Sequence, residues 1–372
     1  MLCLWVHQSS STAPLPVPTL ATLSRLHIHF LLSFPFEALA MNYEPSGSMD
    51  STLAHIYSRF IEQRRGGGYC LQVNVLYREM LARLGFRFIG VLGRVYSPVT
   101  NDWTGLTHTA SLVYLPSHVR EDHGKGVYYL SDVGFGSSPH RPILLRDAWE
   151  EFGRGHDKYR LIKSSLQPRS SLEPSPGSPD GEDEDDEVAA VAQSQFVWRL
   201  QNQKNGKPQW EDCYSFAVTE CFYADYQASN KATSHYASVP FATMILVVRY
   251  VLHPDELQHS DGRIKHDQLC PDLYPYHPSA IEQRMIVADK HIVKLGDTQT
   301  AFNVIKSERQ RVELLKSDFG LLSHVSTDDA LREISSKPSA LPSEQKASPA
   351  PAANGHANGK MANGSTSAAH SA

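Results

Sequence analysis

Three side chains could together run thiol chemistry. Cys70 lies in 65-RGGGYCLQVN-74, His108 in 104-TGLTHTASLVYL-115 and Asp132 in 127-VYYLSDVGFG-136. Glycines let the backbone ahead of Cys70 turn tightly and approach a ligand closely. A helix that starts at Cys70 would put partial positive charge and spare N–H groups beside the thiol. Such an environment stabilises a thiolate and can bind an oxyanion. A thiol nucleophile wants a base, and the base wants an orienting group. His108 opens one apolar strand and Asp132 ends the next. Paired as an antiparallel hairpin, the start of one strand lies beside the end of the other. Each residue also has a plain reading: Cys70 as a small buried apolar residue, His108 as a strand-edge histidine, Asp132 as a turn former before glycine. The three in matching order outweigh those readings.

Several elements must position these groups. Leu20, Leu23, Leu26, Leu31 and Leu32 lie near helical spacing, and Phe34-Pro35-Phe36 ends that run. Ile56, Phe60 and Ile61 mark a short second helix. After Cys70, Val73, Leu76, Tyr77, Met80 and Leu84 share one helical face, and Gly85 is placed to stop it. Strands are expected at 86–96, 109–115 and 127–133, with the polar, glycine-bearing 116–126 joining the last two. A hairpin of 196–200 and 213–218 carries Asn205-Gly206 in its turn. A buried strand at 244–252 and a helix over 307–319 follow.

Segment 164–194 runs from Ser/Pro-rich to a solid acidic block, and 335–372 is rich in Ala, Ser, Pro, Asn and Gly. Both read as disordered. The rest divides into a helical bundle at 18–85, a β-barrel at 86–163 and an α/β lid at 195–330, behind an atypical 1–17.

Composition narrows the function. The 372 residues are 41% hydrophobic with a formal charge of −5, and no basic patch with interleaved aromatics suggests nucleic-acid binding. Cys3, Cys70, Cys213, Cys221 and Cys270 form no CxxC, and their number is odd. That argues against a disulfide framework or zinc site and for a reducing compartment. No apolar run reaches transmembrane length, and 1-MLCLWVHQSSS-11 lacks the basic start of a signal peptide. The expectation is a cytoplasmic monomer that binds no nucleic acid, membrane or metal.

The three stretches 67-GGYCLQVN-74, 108-HTASLV-113 and 132-DVGFG-136 resemble the arylamine N-acetyltransferase family. The N-terminal 18-PTLATLSRLHIHFLLSFPFEAL-39 resembles the family helix that ends in PFENL, and 229-SNKATSHYASVPF-241 resembles part of its third domain. The tail's composition is compatible with a fungal member. The resemblance implies an α+β, cysteine-protease-like, three-domain fold. It also implies a ping-pong reaction. Cys70 would take an acetyl group from acetyl-coenzyme A, with His108 as its partner and Asp132 orienting the imidazole. An arylamine, hydrazine or N-hydroxyarylamine would then receive the group, as in detoxification.

Coenzyme contacts are implied at Thr104, Gly105, Gly134 and Gly136, and an acceptor pocket at Val95, Phe135 and Ser137. There are departures from the family pattern. Gly66 stands where the family has an arginine, which leaves Arg65 to fill the role or the contact to be lost. Ala38 replaces the asparagine of PFEN, and 1–17 does not resemble the first family helix. Alternatives are a propionyl- or malonyl-coenzyme A donor, a hydrolase or transglutaminase with the same Cys-His-Asp order, and a non-catalytic member.

Overall fold

This computed structural model describes residues 15–116, 126–166, 196–235, 240–253 and 280–341. Expectations for 1–14, 117–125, 167–194 and 342–372 lie outside the described residues. Helix α1 (Leu20–Ser33) begins where the Thr19 hydroxyl accepts from the Thr22 N–H, an N-cap. It buries Leu23, Ile28, Phe30 and Leu31 and stops ahead of Pro35. Short helices α2 (Ala40–Tyr43) and α3 (Leu53–Tyr57) follow, and α3 runs straight into a π-turn, Ser58–Glu62. Helix α4 (Cys70–Arg83) buries Val73, Leu76, Tyr77 and Leu81 against α1, while Met80 and Leu84 are partly buried at the margin. Gly85, at φ +79, closes it in the left-handed conformation that favours glycine.

Eight strands form one antiparallel sheet: β1 (Arg87–Ser97), β2 (Asp102–Leu115), β3 (Val127–Ser131), β4 (Ile143–Leu144), β5 (Trp149–Phe152), β6 (Lys158–Ser164), β7 (Val197–Gln203) and β8 (Glu211–Phe216). Their order is β4-β3-β2-β1-β8-β7-β6-β5, and the end strands β4 and β5 touch, so the sheet nearly closes into a barrel. Its interior is apolar, with Val91, Leu112, Leu130, Leu161, Leu200 and Phe216.

This corrects the expected end of the barrel at residue 163. Strands β7 and β8 pair with β6 and β1 and complete the barrel, rather than opening a separate lid. The acidic segment falls between two paired strands of one sheet. A loop insertion of that kind costs little closure entropy, so a sharp change in composition need not mark a domain boundary.

Helix α5 (Tyr223–His235) and the short α6 (Pro240–Thr243) lead to a second sheet. Strands β9 (Leu246–Leu252), β10 (Ile281–Val287), β11 (Lys290–Leu295) and β12 (Thr298–Val304) form it in consecutive antiparallel order. Helices α7 (Glu308–Ser317) and α8 (Thr327–Ile334) add their apolar faces to a core of Val247, Ile286, Val312, Leu315 and Phe319. The expected disordered tail starts too early. Ser339 is buried, accepting from the Arg311 guanidinium on its carbonyl and donating from its hydroxyl to Asn42.

Candidate active site

The glycine loop is held from both sides. The Gly68 N–H donates to the Pro35 carbonyl at 3.2 Å, and the Glu37 N–H donates back to the Gly68 carbonyl at 3.2 Å. A side chain at Gly67 would strike the Pro35 carbonyl at 1.8 Å, so only glycine permits this approach. Tyr69 sits in extended geometry at the N-cap position, and its hydroxyl bonds to Asn230 of α5. Cys70 is thereby fixed as the first residue of α4, with 5% exposure.

His108 lies inside β2, not at its mouth as the sequence suggested. It pairs with Gly93, whereas Leu106 pairs with Arg94, so Thr107 is the extra residue of a β-bulge. Bulges re-aim neighbouring groups. Here the Thr107 carbonyl accepts from the Cys70 thiol at 3.5 Å and from the Thr233 hydroxyl of α5 at 3.4 Å. The Cys70 side chain is near enough to the His108 ring to favour its charged form. His108 Nε2 lies 2.8 Å from Asp132 Oδ2. His108 and Asp132 are almost wholly buried.

Burial works against a charged His108. The Asp132 carboxylate, and next the Cys70 charge, overcome it and raise the His108 pKa to about 10. Burial also opposes the charge on Asp132, but His108 and the donors around it hold that carboxyl below its ordinary range.

Asn74, one helical turn past Cys70, organises the carboxylate. Its Nδ2 donates to Asp132 Oδ1 at 2.8 Å and to the Thr109 carbonyl at 2.7 Å, while its Oδ1 accepts from the Val133 N–H at 3.1 Å. The Gly134 N–H completes the set at 2.9 Å from Asp132 Oδ1. A side chain at Gly134 would press on the Cys70 Cα at 2.9 Å, so this glycine lets the turn close over the start of α4. Tyr214 of β8 lies against His108 with ring centroids 4.3 Å apart and the rings tilted by 49°; its hydroxyl is buried beside Asp132 and, among the described residues, lacks a regular hydrogen bond. Asn74 was visible in the quoted motif. Tyr214 had no sequence signal, because it arrives through the long-range pairing of β8 with β1.

The remaining expected positions divide. Phe135 lies 5.3 Å from the His108 ring in an edge arrangement, and Val95 pairs with Tyr214, so both reach the neighbourhood of His108. Ser137 is exposed, and its carbonyl accepts the Tyr159 hydroxyl. Thr104 accepts from the Val95 N–H and contacts Thr107, while Gly105 is exposed with open space beside it. The Gly134 N–H and the Gly136 carbonyl, expected near the coenzyme, are engaged internally by Asp132 and Tyr250.

Arg65 does not fill the missing arginine's role. It is exposed, and Gly66 at φ +111 has Leu321 within 2.4 Å of where a Cβ would stand. The cation beneath the loop is Arg59 from the π-turn, which is buried and pairs with Glu37 at 3.4 Å and Glu44 at 2.8 Å. Among the described residues, no cluster of His, Cys, Asp and Glu is placed to hold a metal.

The profile of the N-acetyltransferase family matches residues 19–256. An N-malonyltransferase of Gibberella moniliformis is 24% identical over 64% of this chain and 65% of its own length. An arylamine N-acetyltransferase / N-hydroxyarylamine O-acetyltransferase of Salmonella typhimurium is 30% identical over 40% of this chain and 49% of its own. Both alignments span less than two thirds of the relative. The solved arylamine N-acetyltransferase of Mycobacterium marinum in complex with CoA aligns at a TM-score of 0.59 and 20% identity, covering 86% of this chain and 93% of that one. The fold is the α+β, cysteine-protease-like one. The chain belongs to the arylamine N-acetyltransferase family.

Proposed function

We propose that this protein moves an acyl group from a coenzyme A thioester to an amine through a thioester on Cys70. The observation that carries the reading is Cys70 at the start of α4, its thiol on the Thr107 carbonyl directly before His108, whose ring meets Asp132 at 2.8 Å. The Cys70 thiolate, paired with the His108 imidazolium, attacks the donor carbonyl carbon. The carbon–sulfur bond to the coenzyme then breaks, and the leaving sulfur takes the proton from His108. Spare N–H groups of the first turn of α4 are suited to the transient oxyanion. The amine next attacks the acyl-enzyme, His108 takes its proton, and Cys70 leaves as thiolate. Asp132 keeps the imidazole oriented and favours its charged form.

The acceptor in this reading is an arylamine, hydrazine or N-hydroxyarylamine, held near Val95 and Phe135. The enzyme acts as a cytoplasmic monomer that detoxifies foreign amines. Among the described residues, no helix is long and apolar enough to cross a membrane. Acetyl is the first donor proposed. Malonyl is the second, because one relative is an N-malonyltransferase. Arg94, exposed on β1 with its Nη1 3.3 Å from the Thr104 carbonyl, is the cation beside the expected coenzyme loop that a malonyl carboxylate could meet.

Intact mass measurement after mixing with acetyl- or malonyl-coenzyme A, without amine, tests the reading. A mass gain of one acyl group, absent in Cys70→Ala, supports it, and the better donor ranks the two versions. No adduct from either donor defeats it.

A further inference from the structure

Arg78 is buried on α4, two turns beyond Cys70, and among the described residues no carboxylate pairs with it. A lone buried guanidinium is costly unless something nearby uses its charge. Its Nη1 donates to the Thr109 hydroxyl at 3.0 Å and to the Ala110 carbonyl at 3.3 Å. The Tyr226 ring of α5 covers it at 4.4 Å, and among the described residues its Nη2 has no hydrogen-bond partner. Thr109 directly follows His108, and its carbonyl takes the Asn74 amide that also binds Asp132. The guanidinium therefore touches the strand that carries His108 and connects to the carboxylate through Thr109 and Asn74.

The charges around it point the same way. Burial pulls the Arg78 pKa down, while Tyr226 and Cys221 on the α5 side and Cys70 and Asp132 on the other pull it back up. Its neighbour Glu79 is turned outward to Arg83. We propose that Arg78 is a positioning residue, a buried counter-charge that fixes the His108 strand through Thr109 and balances the negative charge of Cys70 and Asp132. This rests on the acyl-transfer reading above. With Cys70 as thiolate, His108 as imidazolium and Asp132 as carboxylate, the site alone carries one excess negative charge. Arg78 brings the buried set to neutrality. After acylation the thiolate charge is gone and His108 has lost its proton to the coenzyme, so Asp132 and Arg78 again balance. The set stays neutral at both resting stages of the cycle.

The test is the pH profile of Cys70 alkylation by iodoacetamide, read by peptide mass in a Cys221→Ser background. Arg78→Met should move the profile upward, with the rate near pH 6 falling about tenfold. Arg78→Lys, which keeps the charge, should stay within about threefold of the parent. A folded Arg78→Met protein with an unchanged profile overturns the proposal. Should that variant not fold, Cys221→Asp decides instead, since it sets a carboxylate beside the guanidinium from a partly exposed loop. The same upward displacement supports the role, and an unchanged profile overturns it. Failure of the parent Cys70 to react at all would count against the acyl-transfer reading, not against Arg78.

Discussion

His27 and His108 are buried to nearly the same degree, yet they hold opposite charge states. His27 sits on α1 between the Ser131 hydroxyl at 3.0 Å and the Pro139 carbonyl at 2.9 Å. Burial takes its pKa down to about 4, and a distant pull from Asp132 does not reverse that. His140, near the same turn, goes to about 3. His108 suffers the same burial, but Asp132 is in direct contact and the balance inverts. The partner, not the depth, decides which histidine bears charge. His27 is a neutral strut that holds the strand and turn on either side of Asp132. His108 can hold a proton at neutral pH and pass it on.

The largest test of that contrast is to remove the partner. Asp132→Asn should lower acyl transfer by about 10³–10⁴-fold and bring the His108 titration down toward the behaviour of His27. Steady-state kinetics and an NMR titration of the imidazole report the two effects. A His108 that stays charged at neutral pH without Asp132 would break the comparison.

A second contrast sets Arg59 against Arg65. Arg59 is buried with two carboxylates, and burial pushes Glu37 up even though Arg59 pulls it down. Arg59→Leu strands those acids and should cost about 3–5 kcal/mol in chemical unfolding. Arg65→Ala should stay within about 0.5 kcal/mol. Equal losses would mean that the exposed arginine supports the loop after all.

The difference between these two arginines shows what sequence reading could reach. Cys70, His108 and Asp132 were legible because each sits in a local pattern: glycines before a helix, an apolar strand, an aspartate before Gly-Phe-Gly. The helical face of α4 was legible for the same reason. Arg59 was not, because a π-turn upstream moves it under the loop, and such a turn has no pattern of its own. Tyr214 and Arg78 were missed because one depends on strand pairing across more than a hundred residues and the other on an α4 face that reads as a polar interruption. Strands β10 to β12 also went unread. The burial of β12 is too slight to imprint an alternation, and β10 is buried unevenly along its length.

Between the triad and the scaffold stands Asn74. Its amide donates to a charged carboxylate, so Asn74→Ala should lower kcat by about tenfold to a hundredfold. KM for the acyl donor should change little, because Asn74 is buried behind Cys70. A larger change in KM than in kcat would move Asn74 from holding Asp132 to shaping the donor site.

The smallest expected effect, on stability against pH, separates the histidines by sign. His27 is neutral in the folded protein down to about pH 4, whereas the unfolded chain takes up its proton near 6.5. Its contribution is therefore complete above 6.5 and falls by about 1.4 kcal/mol for each pH unit below it, until about 4. His108 runs the other way. Its raised pKa gives a contribution that is complete below 6.5 and is lost as pH rises through about 10. His27→Gln keeps a polar group among Ser131 and Pro139, should cost about 1 kcal/mol at neutral pH, and should flatten the acid limb alone. Asp132→Asn should flatten the alkaline limb and, because His108 would then be buried and neutral like His27, make the acid limb steeper. Urea unfolding across both limbs distinguishes them. If His27→Gln leaves the acid limb as steep as before, the neutral strut at the base of the Asp132 turn is His140 and not His27.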